Sequence, residues 1–458
     1  MTQFSDDPAA YFAGESSWGQ SLDRSQIEGL QLEAARERFA ALAGAIAPLG
    51  ALAQGAGVRS IERLEDLAPL LFLQGFYKSF DENLLFDGDF AGMSHWLQRL
   101  VARDLGPLAA RGCRTLDHWF AEAEAVSGLV LMHSSGTTGR LSIAPRGAEE
   151  HAANRRLARA TIPEFSGRAA DLAGEPPFRV IWAGVADGMS GALRGAENFR
   201  HAFARSPGHF HATVPGRISA DWHWLMMLAE RAHRAGVPPP VASGYVTERM
   251  DEFDAARARE PAIVAELIAR LADEWRGERL LFVGPPLALH DFAVKGLAKG
   301  LRGALAPDGV IVSFGGFKHH APPSNLERTI LDFTGPARAA GFYVMTELNA
   351  ACFRCEEGHF HVLPVLVPFQ FDEASGALLP REGVQTGRMA FFDTMARAYW
   401  GGIVTSDRTT LSWNPCACGR STPHVVGDIG RIDDPDDGRH VRTPAPHEAL
   451  EAAWSALA

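Results

Sequence analysis

The sequence predicts an α/β protein, with helices packed on buried, largely parallel strands in a large domain and a small β-rich subdomain after it. Three observations carry this. From Gly128 onward, short apolar runs ("GLVLMH", "FRVIWAGV", "RLLFVGPP", "GVIVSFGG", "GFYVMTE") are separated by helical stretches such as "LHDFAVKGLAKGL" and "LERTILDF". Strands covered by helices on both faces read as such continuous runs. Beyond Arg381, "GRMAFFD" and "GGIVTSD" suggest further strands. Finally, a chain of 458 residues exceeds the roughly 250 to 300 at which one hydrophobic core stops growing, so several subdomains and a cleft between them are expected.

In chain order, residues 1–127 are expected to be the helical part of the large domain. Leu30, Leu32, Ala35, Phe39, Leu42 and Ile46 recur at helical spacing, so Ser25 to Ala53 reads as amphipathic helix. "LAPLLFLQGFYKSF" mixes proline with aromatics and reads as irregular packing. Residues 128–380 are the expected α/β nucleotide-binding core and 381–432 the small β-rich subdomain. Residues 433–458 are a tail in which "DDPDDGRH" has the composition of an exposed linker and "HEALEAAWSALA" that of a helix.

Composition narrows the function. An apolar content of 46% and a charged content of 22% are those of an ordinary soluble globular protein. A net charge of −11 without any basic run argues against nucleic acid as a partner, since that binding depends on clustered Lys and Arg. The N-terminus carries neither a positive n-region nor an apolar h-region, and no apolar run is long enough to span a bilayer, so a cytoplasmic protein with no membrane contact is expected. Lys78, Lys295, Lys299 and Lys318 are the only lysines, and none follows Lys318.

In open α/β sheets ligands bind beyond the carboxyl ends of the strands, and "HSSGTTG", "FGGFK" and "MTELN" each follow an apolar run. The stretch Ser134, Ser135, Gly136, Thr137, Thr138, Gly139, Arg140 combines free backbone N–H groups with short hydroxyls, the donors that a phosphate requires. A polar surface turn has the same composition. It is not a mononucleotide P-loop, because Arg140 and Leu141 follow Gly139 where that motif needs lysine and a hydroxyl residue.

"SSGTTGR" resembles the phosphate-binding loop of the adenylate-forming superfamily, whose members join a carboxylate to AMP and pass the acyl group to a thiol or amine. "YVMTE", Tyr343 to Glu347, is similar to the Y-G-x-T-E segment of that family, with Val344 where glycine is usual. The resemblance implies that Tyr343 stacks on adenine, Thr346 contacts phosphate and Glu347 holds Mg²⁺, a hard cation that prefers carboxylate oxygen. Upstream, "SFGG" places Gly315 and Gly316 where the family sets a glycine pair against adenine. "TSD", Thr405 to Asp407, and "GRIDD", Gly430 to Asp434, resemble the ribose-binding T-G-D and the hinge G-R-x-D, which implies Asp407 on the ribose and Arg431 near sugar or phosphate.

Family members carry a mobile C-terminal domain after the hinge that brings a lysine to the reacting carboxylate. Here 25 residues follow Asp433, none a lysine, so the chain resembles the shortened members: the acyl-protein synthetases of bacterial luminescence and the adenylate-forming proteins of phenazine-type biosynthesis, where "GG-x-K" also occurs. That pattern assigns Lys318 to the charge of the phosphates or the carboxylate; a solvated loop lysine is the competing reading. The activity implied is ATP-dependent carboxylate activation with Mg²⁺, in specialised metabolism. The substrate would be a carboxylic acid and the acceptor a thiol of CoA, a carrier protein or a reductase. A protein that binds nucleotide or acyl group without turnover is the alternative, and a zinc-dependent hydrolase a third.

"CFRCEEGHFH" and a later "CAC" offer Cys352, Cys355, His359, His361, Cys416 and Cys418, soft ligands in two clusters as in structural Zn²⁺ sites. Similarity to phenylacetate-CoA ligase relatives, where a Cys precedes G-x-H and a "CxCGR" follows, implies Cys355, His361, Cys416 and Cys418 as the ligands, with Cys352 and His359 as spares. Four protein ligands make the expected zinc structural. The histidines of "HAFARSPGHFH" read as surface or satisfied core residues, and the neighbours of Cys113 give no reason for a low pKa.

Overall fold

The computed structural model describes residues 3–13, 22–134, 140–165, 178–238, 244–317, 321–432 and 441–457. Its strands are β1 (Phe72–Leu73), β2 (Leu129–His133), β3 (Ile143–Gly147), β4 (Arg179–Gly188), β5 (Phe210–Ile218), β6 (Leu280–Gly284) and β7 (Val310–Phe314), followed by β8 (Arg338–Tyr343), β9 (Cys352–Arg354), β10 (Phe360–His361), β11 (Leu366–Phe371), β12 (Val384–Asp393), β13 (Gly402–Ser412) and β14 (His424–Arg431). The chain divides into two compact units: Met1–Leu157 with Met345–Cys352 and Glu356–Ala458, and Ala158–Val344 with Phe353–Cys355.

The second unit is the helix-covered sheet that the apolar runs predict. Its strands lie in the order β5-β4-β6-β7-β8, and each pairs with its neighbours in parallel. Parallel neighbours need long crossovers, supplied by helices such as Gly191–Phe203, Ala220–Ala235, Pro286–Ala298 and Leu326–Thr334. Phe282 of β6, Phe292 and Phe333 pack ring to ring, and a Cβ on Gly296 would lie 2.3 Å from the Phe333 ring, so glycine lets that helix close on its neighbour. The histidine stretch runs into β5, a strand the periodicity did not announce.

In the first unit the strands run β11-β12-β13-β14-β10, antiparallel from each to the next, and β1 adds in parallel to β13. β2, expected in the parallel sheet, instead pairs antiparallel with β3 in a separate hairpin. Its apolar run is buried all the same; a continuous run reports burial on both faces, not the direction of the partner.

The helix expected over Ser25–Ala53 is two, Arg24–Leu42 and Ala47–Ala56. The first starts at an Asp23/Gln26 capping box. The second starts at Ala47, with Pro48, which has no N–H to continue an earlier helix, in its first turn. "LAPLLFLQGFYKSF" folds as two 3₁₀ segments around β1. The terminal helix His447–Ser455 lies on Ala47–Ala56, so close that a Cβ on Gly55 would meet the Ala449 Cβ at 2.3 Å. Among the described residues no single helix is long and apolar enough to cross a membrane.

Candidate functional site

The hydroxyl-rich loop joins β2 to β3. Ser135, Gly136, Thr137, Thr138 and Gly139 lie outside the described residues, but both ends of the loop are fixed. The Ser134 N–H donates to the Ser142 carbonyl at 2.9 Å, and the Ser142 N–H donates back to Ser134 Oγ at 3.0 Å. Arg140 donates to the Phe80 carbonyl at 2.8 Å, so its guanidinium is anchored beside the loop.

Ser142 leads to the acid. Its hydroxyl donates to Glu347 Oε1 at 2.8 Å, and Glu347 is buried, only 3% exposed. The segment that carries Glu347 is held by its backbone. Arg146, on β3, donates to the Thr346 carbonyl at 3.0 Å and to the Leu348 carbonyl. Tyr399 Oη donates to the Glu347 carbonyl at 3.0 Å, and Asn154 donates to the Asn349 carbonyl. All four successive carbonyls therefore have side-chain donors. Asn349 is tied further: its side chain donates to Tyr399 Oη at 3.0 Å and its N–H to Asp393 Oδ2 at 2.5 Å. The Met395 N–H donates to the other Asp393 oxygen at 2.9 Å. Burial pushes the Asp393 carboxyl up to about 6, against the opposing effect of these two N–H groups. Arg146, Asn154, Asn349, Asp393 and Tyr399 were missed in the sequence, where nothing marks a residue as the donor to a distant carbonyl.

Asp407 and Arg431 face each other across β13 and β14, and Arg431 Nη1 donates to Asp407 Oδ1 at 2.6 Å. The carboxylate is mostly buried and the guanidinium about half exposed. These two sequence candidates are brought together.

In the second unit, β7 is followed at once by Gly315, whose φ of 75° is left-handed, a conformation that favours glycine. Among the described residues beyond its chain neighbours, a Cβ on Gly315 or on Gly316 would meet nothing within 4 Å. Tyr343 ends β8 and Val344 is exposed. Lys318 lies outside the described residues.

The metal candidates sit where β10 pairs with β14. His361 Nε2 lies 3.3 Å from Cys418 Sγ, and the ligand atoms of His361, Cys416 and Cys418 are within 4.8 Å of one another. Arg420 donates to Cys418 Sγ at 3.4 Å. Cys355 is buried and ends the short stretch that belongs with the second unit. These donors, two or more sulfurs and an imidazole, are the chemistry that Zn²⁺ takes. Cys352 is buried, and burial alone drives its thiol far up. His359, expected as a spare, lies 3.3 Å from Cys416 Sγ, and with His424 these two form a second group of potential ligands. His424 was not legible in the sequence: a lone histidine in "STPHVVGD" becomes informative only through its register opposite His361. Elsewhere, burial and then Arg179 push His211 down to about 4, and burial raises the Cys113 thiol, so neither is poised as a charged or nucleophilic group.

No family model matches the sequence, and no curated protein does. Solved structures are similar. 2-Hydroxyisobutyryl-CoA ligase in an open conformation with 2-HIB-AMP and CoA is 15% identical, over 91% of this chain and 77% of that one, with a TM-score of 0.53. The same ligase in its postadenylation state with 2-HIB-AMP is 13% identical over 91% of this chain and 70% of that one, at 0.54. In its thioesterification state, with 2-HIB-AMP and CoA, it is 15% identical over the same shares, at 0.51. At such identities the likeness is one of fold alone: the chain has the fold of these ligase structures.

Proposed function

We propose that the protein activates a carboxylic acid with ATP and passes the acyl group to a thiol or amine. One carboxylate oxygen of the substrate attacks the α-phosphorus; the new O–P bond forms as the bond to pyrophosphate breaks, leaving an acyl adenylate. The nucleophilic acceptor then displaces AMP at the carbonyl carbon. The hydroxyls and N–H groups of Ser134 to Gly139, with Arg140 and Thr346, hold the phosphates. Gly315, Gly316 and Tyr343 take the adenine, Asp407 with Arg431 the ribose, and Lys318 offsets charge at the reacting carboxylate. Mg²⁺ held by Glu347 would neutralise phosphate charge. A structural Zn²⁺ on Cys355, His361, Cys416 and Cys418 stiffens the β10–β14 end of the first unit.

The observation that carries this reading is the fixed Glu347. A carboxylate buried on a segment whose carbonyls all have side-chain donors is costly to build and is spent where a cation must be met in one place. The test is ATP–pyrophosphate exchange, with hydroxamate capture, across a panel of aromatic and fatty acids. Acid-dependent exchange is expected for at least one member. ATP binding without exchange for any acid would favour a protein that binds nucleotide without turnover.

A further inference from the structure

Two imidazoles outside the four-ligand zinc set have the geometry of ligands themselves. His361 and His424 are cross-strand partners, and His359 comes just before β10, two residues before His361. The three rings stack: His359 on His424 at 4.9 Å and 24°, His424 on His361 at 5.0 Å and 29°. Buried Thr422 sets two of them. Its hydroxyl is 2.9 Å from His361 Nδ1, and its carbonyl is 3.4 Å from His424 Nδ1. A carbonyl only accepts, so His424 carries its proton on Nδ1 and presents the Nε2 lone pair. Such outer hydrogen bonds are what orient metal-binding histidines.

His359, Cys416 and His424 each offer a ligand atom, all within 4.8 Å of one another. From Zn–S and Zn–N bond lengths, the S···N edge of a tetrahedral zinc site is about 3.6 Å; His359 Nδ1 to Cys416 Sγ is 3.3 Å, and so is His361 Nε2 to Cys418 Sγ. Cys416 belongs to both groups, and a thiolate sulfur has lone pairs for two cations.

We propose that Cys416 bridges two metal positions: the four-ligand one above, on whose reading this rests, and a second formed by His359, Cys416 and His424. The second suits Zn²⁺ and leaves its fourth position to water. Three protein ligands and an open position distinguish it from a purely structural centre.

The test is metal stoichiometry of the full-length protein equilibrated with buffered zinc, by mass spectrometry of the metal, together with a cobalt(II) titration. Two zinc ions per chain are expected for the wild type and one for His359→Gln. The second cobalt equivalent should add thiolate-to-metal charge-transfer intensity that His359→Gln loses while keeping the first. One zinc in the wild type overturns the second position and leaves the four-ligand site standing; none overturns both. Two in both proteins overturns the assignment to His359. Should His359→Gln not fold, the wild-type stoichiometry decides alone.

Discussion

The segment Thr346–Asn349 and the turn Gly315–Gly316, to which the proposed function gives phosphate and adenine roles, are built in opposite ways. In the first, every backbone carbonyl has a side-chain donor. The second offers a left-handed glycine and empty space where side chains would stand. On the proposed function, the difference matches what each would meet. A charge acts best when its position is fixed before the ligand arrives, since reorganisation would cost part of the stabilisation. A flat ring needs only backbone that yields room.

The comparison is broken most directly at its charged end. Glu347→Gln should cut pyrophosphate exchange about a thousandfold, or about 4 kcal/mol of barrier, if Glu347 is the Mg²⁺ ligand. The fold should persist, because the Ser142 hydroxyl can donate to an amide oxygen as to the carboxylate. A near-wild-type rate in a folded variant would remove Glu347 from the chemistry. Next comes the scaffold. Arg146→Met strands the Thr346 and Leu348 carbonyls, and leaving such buried acceptors unpaired should cost about 3 kcal/mol in a denaturant melt. A loss under about 1 kcal/mol would mean that the segment holds itself.

Asp393 gives the same scaffold a pH signature. Its carboxyl is raised from 3.8 to about 6 by burial, so the folded state binds more protons than the unfolded one between those values. Stability therefore falls as pH rises through that window, by up to about 3 kcal/mol from this group, and the loss is complete above the folded pKa. Other carboxylates, such as Glu278 and Glu373, have lowered values and act in the opposite direction. The contribution is isolated as the difference between wild type and Asp393→Asn: the wild type should lose ground steadily from about pH 4 to pH 7. A constant difference would show that Asp393 ionises in the folded protein as it does unfolded.

The sequence displayed these two regions unequally. Gly315, Gly316, Asp407 and Arg431 were singled out because short fragments around them resemble a family's motifs in their order along the chain, and the structure pairs Asp407 with Arg431. Cys416 and Cys418 were visible because soft ligands are scarce. The support of Glu347 was not visible: Arg146 and Asn154, and Asp393 and Tyr399, come from two other stretches and act on backbone atoms, which no residue pattern records. Strand direction was hidden for the related reason that "GLVLMH" encodes burial of β2 and not its partner. The break before Pro48 was legible in principle, since proline marks a helix start as clearly as an end.

The smallest effects test the open end, where two adjacent glycines should part company. Gly315 has φ of 75°, so Gly315→Ala forces an L-residue into the left-handed region and should cost about 1 kcal/mol of stability even with no neighbour to strike. Gly316 has no such backbone restriction, and among the described residues beyond its chain neighbours nothing lies within 4 Å of where an alanine methyl would stand, so Gly316→Ala should leave the melting temperature unchanged. On the proposed function its methyl would instead enter the space taken by adenine, and the KM for ATP should rise several-fold while turnover at saturation changes little. An unchanged KM in that variant would place the adenine elsewhere and leave Gly316 as an ordinary turn residue, whereas a shared loss of stability in both would show that the turn is packed and not open.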